Sequence, residues 1–297
     1  MHTTSTDNAS GSKPAAAAFW QNPPWQQAGG FRLGLQPVGF ENWCPNSIDA
    51  VELSRKAALL DQAQPQVCCS AVSTTTAQEQ VSQWLTAQHP LPTELPLSPA
   101  TLRGLESAQA LTLARCALSV PEDLCIMTRD GDNYRLSAAC VCAPSYWYLP
   151  EKIGRLLHQI HAPVSGLNDK IGGMIQQFMH RLPGDRLFLR RNWFIHQSPE
   201  LYQPDAETVP SAKINVAELQ TMVVRSETQT LRRIDDDNVL FTILVSCYPL
   251  TGIADYPSAA KAMRDSIATF NEDEYSSFGL DRLGDALQTY LATIAGQ

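Results

Sequence analysis

Apolar and polar residues alternate from Leu124 to Thr128 and again from Tyr134 to Val141, with Arg129-Asp130-Gly131-Asp132-Asn133 between the runs. An Asp-Gly pair in that setting predicts a β-hairpin, because glycine supplies the left-handed backbone a tight turn needs. Three further runs rich in β-formers predict strands over 187–195, 221–231 and 239–248, the last reading VLFTILVSCY. Before them, Leu167, Ile171, Met174, Ile175, Phe178 and Leu182 recur at helical spacing until Pro183-Gly184 stops the pattern. Pro150 opens another predicted helix, which Pro163 ends.

The first third is less regular. Residues 1–18 are rich in Ser, Thr and Ala and read as a disordered tail. Phe19 to Trp43 is aromatic without a period and reads as an extended segment lying on a domain. Helices are predicted over 47–60, 81–87 and 101–117, with a polar loop over 62–80 and a proline-rich connector over 90–99. The C-terminal residues read as helical and acidic. Helices, a hairpin, two helices, three strands and more helices together predict an α+β fold around an antiparallel sheet.

Composition narrows the function. The chain has 297 residues, is 44% hydrophobic and only 18% charged, so it can bury a sizeable core. Its net charge of −8 argues against a nucleic-acid partner and against a polybasic membrane surface. The longest uncharged run, Asn238 to Ala254, is too short for a membrane span and contains Pro249. Met1 to Lys13 lacks an apolar core after a basic start, so a cytoplasmic location is expected. The eight cysteines form no C-x-x-C pair and read as buried thiols. P-loop, G-x-G-x-x-G, G-x-S-x-G and HExxH motifs are all missing.

Three constellations could carry chemistry. In EKIGRLLHQIHAP, residues 151–163, a continuous helix puts Ile153, Leu156, Leu157 and Ile160 on one apolar face. His161 then lies at the edge of that face and His158 nearer to solvent. A half-buried neutral imidazole can ligate iron, or it can cap the last carbonyls of the helix; a His158/His161 zinc pair has no further motif behind it. Second, arginine outnumbers lysine sixteen to six, and seven arginines fall between Arg181 and Arg233. They bind carboxylates well, or they are solvated and pair with Asp235, Asp236 and Asp237. Third, Arg225, Glu227 and Gln229 alternate on one side of a strand, facing either water or a pocket. Trp193 is either core or the flank of a planar cofactor.

Short stretches, in order, carry a family resemblance. They are Arg32-Leu33-Gly34-Leu35 with Trp43; Pro121-Glu122-Asp123-Leu124; Pro144-Ser145 with Trp147 and Glu151-Lys152-Ile153-Gly154-Arg155; and Ile160-His161-Ala162-Pro163-Val164. Arg191-Asn192-Trp193, Arg225-Ser226-Glu227-Thr228-Gln229-Thr230-Leu231 and Phe241-Thr242-Ile243 follow. Across roughly residues 31–250 the chain resembles the alpha-subunit-like proteins of heme-dependent oxidative N-demethylase.

The resemblance implies a PAS-like antiparallel sheet holding heme b in a core over 118–250. A mostly helical extension over 19–117 and C-terminal helices over 251–297 would flank it. It also implies oxidative demethylation of a small secondary amine such as dimethylamine, consuming O2 and releasing formaldehyde. Electrons would come from partner subunits carrying flavin and an iron–sulfur centre. His161 is the implied iron ligand. Arg225 and Glu227 fall on the pocket side, with Glu227 meeting the ammonium or relaying a proton. By the same resemblance, Asn192 and Trp193 would support the heme edge, and Arg190 or Arg191 would hold a propionate. The alternatives are a heme-binding sensor without turnover and a heme-free relative of the same fold. Two positions depart from the family pattern. Ser165 follows Val164 where proline is frequent, and Thr228 replaces a second arginine, which removes a charge expected beside the pocket.

Overall fold

A computed structural model describes residues 13–26, 30–71, 73–205 and 213–296. Seven strands form one sheet: β1 (Gln36–Val38), β2 (Cys68–Ser70), β3 (Asp123–Asp130), β4 (Asn133–Cys140), β5 (Leu187–His196), β6 (Val223–Arg233) and β7 (Asn238–Pro249). Their spatial order is β1-β5-β6-β7-β3-β4-β2, and every neighbouring pair is antiparallel. The β3–β4 hairpin forms where Asp130-Gly131 predicts it, with Gly131 at φ +60°. In the β6–β7 turn the Asp235 carboxylate accepts from the backbone N–H of Asp237 and Asn238. Helices before, between and after the strands complete an α+β fold.

The two faces of the sheet are covered by different parts of the chain. Side chains alternate along each strand, so Leu124, Ile126, Leu240, Val224, Trp193 and Ile195 share one face. The N-terminal helices cover one end of it, with Trp43, Leu60, Leu85 and Leu113 in the core. The C-terminal helices Pro257–Ile267 and Leu280–Ala295 cover the other end, with Trp20 and Trp25 beneath them. Arg232 lies among Phe40, Trp43 and Trp84, its guanidinium carbon 4.6, 4.5 and 3.5 Å from their ring centroids. The opposite face carries Cys125, Met127, Leu136, Val141 and Leu231. Residues 149–182 cover it through Leu149, Leu157, Ile160, Met179 and Leu182.

Several predicted elements differ from those observed. The helix expected over 47–60 runs from Ala50 to Val67, with a kink at Ala63, two residues before Pro65. It leads directly into β2, which pairs with Ala138–Cys140. The polar loop expected over 62–80 is therefore the end of one helix, a strand and the start of helix Thr75–Thr86, which buries Ala77, Gln78, Val81 and Leu85. Its Gln- and Thr-rich composition concealed a narrow apolar stripe. The helix expected over 101–117 is two, Pro99–Ser107 and Leu111–Ala117, separated where Gln109 adopts φ +53°. Residues 1–12 of the expected tail lie outside the described residues, and a helix, Lys13–Gln21, begins immediately after them.

The correction that matters most for the site concerns residues 150–163. They form not one helix but two short ones, Leu149–Lys152 and Leu157–His161. Gly154, at φ +79°, breaks them apart. The freed backbone bonds to β4: Gly154 N–H donates to the Leu136 carbonyl, and Leu136 N–H to that of Arg155. Sheet pairing outcompetes helix continuation here, because glycine alone in this stretch takes the left-handed conformation without strain.

Candidate functional site

Residue alternation sorts the candidate residues between the two faces. On β5, Arg190 and Asn192 stand directly opposite Gln229 and Glu227 of β6, and Phe194 stands opposite Arg225. All six lie on the face covered by residues 149–182. Helix Leu157–His161 packs its Leu157 and Ile160 on that face, which brings His161 close enough to feel the charge of Arg190. Arg191 and Trp193 lie on the other face. Trp193 is buried there at 5.2 Å from both Trp25 and Phe278, ring centroid to centroid, and Arg191 donates to the backbone and side-chain oxygens of Asn22. The structure therefore unites His161, Arg190, Asn192, Arg225 and Glu227 and separates Arg191 and Trp193 from them. Thr228 stands opposite Arg191, so the arginine that the resemblance leads one to expect here would stand on the far face.

The strand triplet faces inward, not toward water: Arg225 is fully buried, and Glu227 and Gln229 are 8% and 9% exposed. Each polar atom taken from water in this way needs a partner. Glu227 Oε1 accepts from Ser145 Oγ at 2.6 Å, and Oε2 from Gln229 Nε2 at 2.7 Å. Arg225 Nε donates to the same Ser145 Oγ at 2.8 Å. The remaining guanidinium N–H groups donate to the carbonyls of Glu200, Ala143, Pro144 and Leu201 at 2.8–3.1 Å. Arg225 thus clamps two loops, 143–145 and 200–201, onto the sheet and sets the hydroxyl that bonds Glu227.

Two histidines border this face, and the strand spacing that aligns Arg190, Asn192 and Phe194 also points to the second, His196. It is buried, stacked on Tyr146 with ring centroids 4.3 Å apart, and hydrogen-bonded through Nδ1 to Gln203. Burial, then the charge of Arg225, pushes its pKa down to about 4. Tyr146 adopts φ +58°, a costly conformation for a non-glycine residue. Its N–H bond to the Gln203 carbonyl and the His196 stack hold it there. His161 is half-buried while His158 is exposed. Burial, then the charge of Arg190, pushes the His161 pKa down to about 4 as well, so its ring is neutral near pH 7. That ring makes no hydrogen bond with the described residues, which leaves the helix-capping alternative without its bond.

Arg190 contrasts with Arg225. Its Nε is buried and has no hydrogen-bond partner, and its guanidinium forms no ion pair within the described residues. Burial lowers its pKa, opposed by the charge of Glu227. Among the described residues, no group of three or more His, Cys, Asp or Glu side chains converges as a metal site. A single neutral imidazole and an unpartnered guanidinium on one face fit a group that brings its own iron chelate and carboxylates.

This buried polar cluster, between an antiparallel sheet and its helical cover, is the candidate site of an α+β protein. Residues 52–287 match the family described as Haem-dependent oxidative N-demethylase, alpha subunit-like, and the chain belongs to that family. No curated protein matches it. No helix among the described residues is long and apolar enough to cross a membrane.

Proposed function

We propose that the chain is a heme b-dependent subunit that oxidatively demethylates a small secondary amine of the dimethylamine type. It would use O2 and electrons from an external flavin and iron–sulfur partner in the cytoplasm. The family supports the heme dependence and the class of reaction. The observation that supports the assignment to this face is that Arg190 acts electrostatically on both His161, whose ring is neutral and unbonded, and the buried Glu227 carboxylate. In this reading residues 118–250 are a PAS-like core whose 149–182 segment covers the heme. Residues 19–117 and 251–297 are its flanking extensions.

When bound, the heme supplies oxygen activation and the oxidising equivalents that attack an N-methyl group. The rest falls to the chain. His161 would hold the heme iron through a ring nitrogen, and its low pKa keeps that nitrogen's lone pair free of a proton near neutral pH. Glu227 receives the ammonium: each of its oxygens accepts one protein bond and keeps a lone pair for an amine N–H. The same carboxylate can take the proton released as the amine becomes neutral. Arg225 acts through Ser145. By donating to Oγ it directs the hydroxyl hydrogen toward Glu227 and fixes that carboxylate in place. Asn192, opposite Glu227, borders the same space.

The test is a hemin titration followed by a turnover assay. His161→Ala is expected to lose the Soret band of bound heme while His158→Ala keeps it; equal occupancy in the two would remove His161 as the ligand. With reductant, O2 and dimethylamine supplied, Glu227→Gln is expected to release formaldehyde at least tenfold more slowly with heme retained. Unchanged turnover would take Glu227 out of the chemistry. Heme without any formaldehyde from the unsubstituted chain would point to a sensor.

A further inference from the structure

Helix Leu157–His161 buries none of its residues fully, and two glycines in the left-handed region bracket it, Gly154 at φ +79° and Gly166 at φ +71°. Leu157 and Ile160 pack on the sheet face, but the chain after His161 is tied elsewhere. Asn168 Nδ2 donates to the His158 carbonyl at 2.8 Å, which clasps the helix to the π-helical turn Asn168–Gly172. Two side chains then reach across to helix Glu272–Ser277: Ser165 Oγ donates to Asp273 Oδ1, and Lys170 Nζ to Glu274 Oε1. The approach is close. A Cβ at Gly166 would stand 2.8 Å from that of Asp273, so glycine is needed there for room as well as for conformation. The Glu274 side chain is fully buried, and its oxygens also accept the backbone N–H groups of Phe31 at 2.7 Å and Asn271 at 3.0 Å. The other end of the same helix is anchored to β5. Phe278, its C-terminal cap, lies 5.2 Å from Trp193 and 5.8 Å from Phe194, ring centroid to centroid. One short helix and its cap therefore touch both the strand that carries Arg190 and the segment that carries His161. Where the resemblance leads to proline, Ser165 supplies one of the two ties through a hydroxyl that proline lacks.

We propose that Ser165 and Lys170 are positioning residues for His161, and that helix Glu272–Ser277 is the strut through which they act. With both ties made, the segment holds the His161 ring at a fixed distance from β5. With neither, the segment pivots at Gly154 and Gly166, whose backbones carry no side chain to resist it. The inference rests on the heme reading for the use to which the ring is put; the strut itself belongs to the heme-free chain.

The test uses the full chain with Ser165→Ala and Lys170→Met together, and with Ser165→Thr and Lys170→Arg together, which keeps both donors. Amide hydrogen exchange in the heme-free chain is read by mass spectrometry over residues 155–170 and, as an internal reference, over β6 and β7. The Ala/Met variant is expected to exchange at least tenfold faster over 155–170 with the reference unchanged, and the Thr/Arg variant to exchange like the unsubstituted chain. Unchanged exchange over 155–170, or an equal rise in both regions, overturns the strut. Hemin is then loaded, and its loss to an excess of a heme-scavenging apoprotein is timed by visible absorbance. The Ala/Met variant should lose it at least tenfold faster, and the Thr/Arg variant at the original rate. Faster exchange with an unchanged rate of hemin loss overturns the positioning of His161. If the unsubstituted chain takes up no hemin, the heme reading fails and the positioning role with it, while the exchange outcomes still decide the strut.

Discussion

Two arginine–histidine pairs lie on the same sheet face, and they are built in opposite ways. At one end Arg225 stands beside His196; nearer the sheet edge Arg190 stands beside His161. Both imidazoles are pushed down to about 4, by burial and then by the neighbouring guanidinium. Yet Arg225 spends its N–H groups on Ser145 and four backbone carbonyls, and His196 is stacked and hydrogen-bonded. Arg190 and the His161 ring make no hydrogen bond with the described residues. Satisfied buried polar networks rigidify a fold, whereas unsatisfied ones mark strain or a missing ligand. The first pair is a fastener. The second has the makings of a socket, and Glu227 lies between them, held from the first pair's side through Ser145.

The largest effect expected from this contrast is on stability. Arg225→Ala leaves several buried acceptors without donors and releases two loops, so urea unfolding should show a loss of about 3–5 kcal/mol. Arg190→Ala, in the heme-free chain, removes a charge that nothing pairs, so its change should stay within about 1 kcal/mol. Comparable losses in the two variants would erase the distinction between fastener and socket.

The closed pair also makes a prediction about pH. The folded pKa of His196, about 4, lies below the ordinary histidine value of about 6.5. Between those values the unfolded chain binds more protons than the folded one, so stability rises with pH through this window. The contribution of a neutral His196 is fully present above about pH 6.5. It is lost as the pH falls toward 4, by about 3 kcal/mol in total. His196→Phe keeps a ring for Tyr146 to stack on and removes the titration. Its urea midpoint should fall less than that of the unsubstituted chain between pH 7 and pH 5. Parallel curves would mean that His196 is not the titrating group.

The parts of this design that depend on local spacing are legible in the sequence. Gly131 announces its turn, the 239–248 run announces its strand, and alternation alone puts Arg225, Glu227 and Gln229 on one side. The parts that depend on distant pairing are not. β1 and β2 are three residues each, too short to leave a pattern, and β2 hides inside a polar stretch. Alternation separates Arg190 from Arg191, but which of the two faces the site depends on where residues 149–182 settle. Ser145 and His196 join the site because Tyr146 and Gln203 bring two loops together across the sheet. The break at Gly154 is the least accessible feature, since a helical pattern continues through it and the β4 backbone that takes up its freed hydrogen bonds lies outside the stretch.

The smallest predicted effect bears on Thr228, where the family resemblance leads to the expectation of an arginine. Its side chain stands opposite Arg191 on the face away from Glu227, so restoring an arginine there adds charge on the wrong side to touch the site. Thr228→Arg should leave hemin affinity within about twofold, a free-energy change under about 0.5 kcal/mol. It should also cost about 0.2–1 kcal/mol of stability through the like charge of Arg191 directly across the strands. The two readouts divide the alternatives cleanly. A large gain in hemin affinity with stability unchanged would mean that the charge reaches around the sheet edge to the side of Arg190. The separation of the two faces, on which the contrast between the arginine pairs depends, would then have to be redrawn.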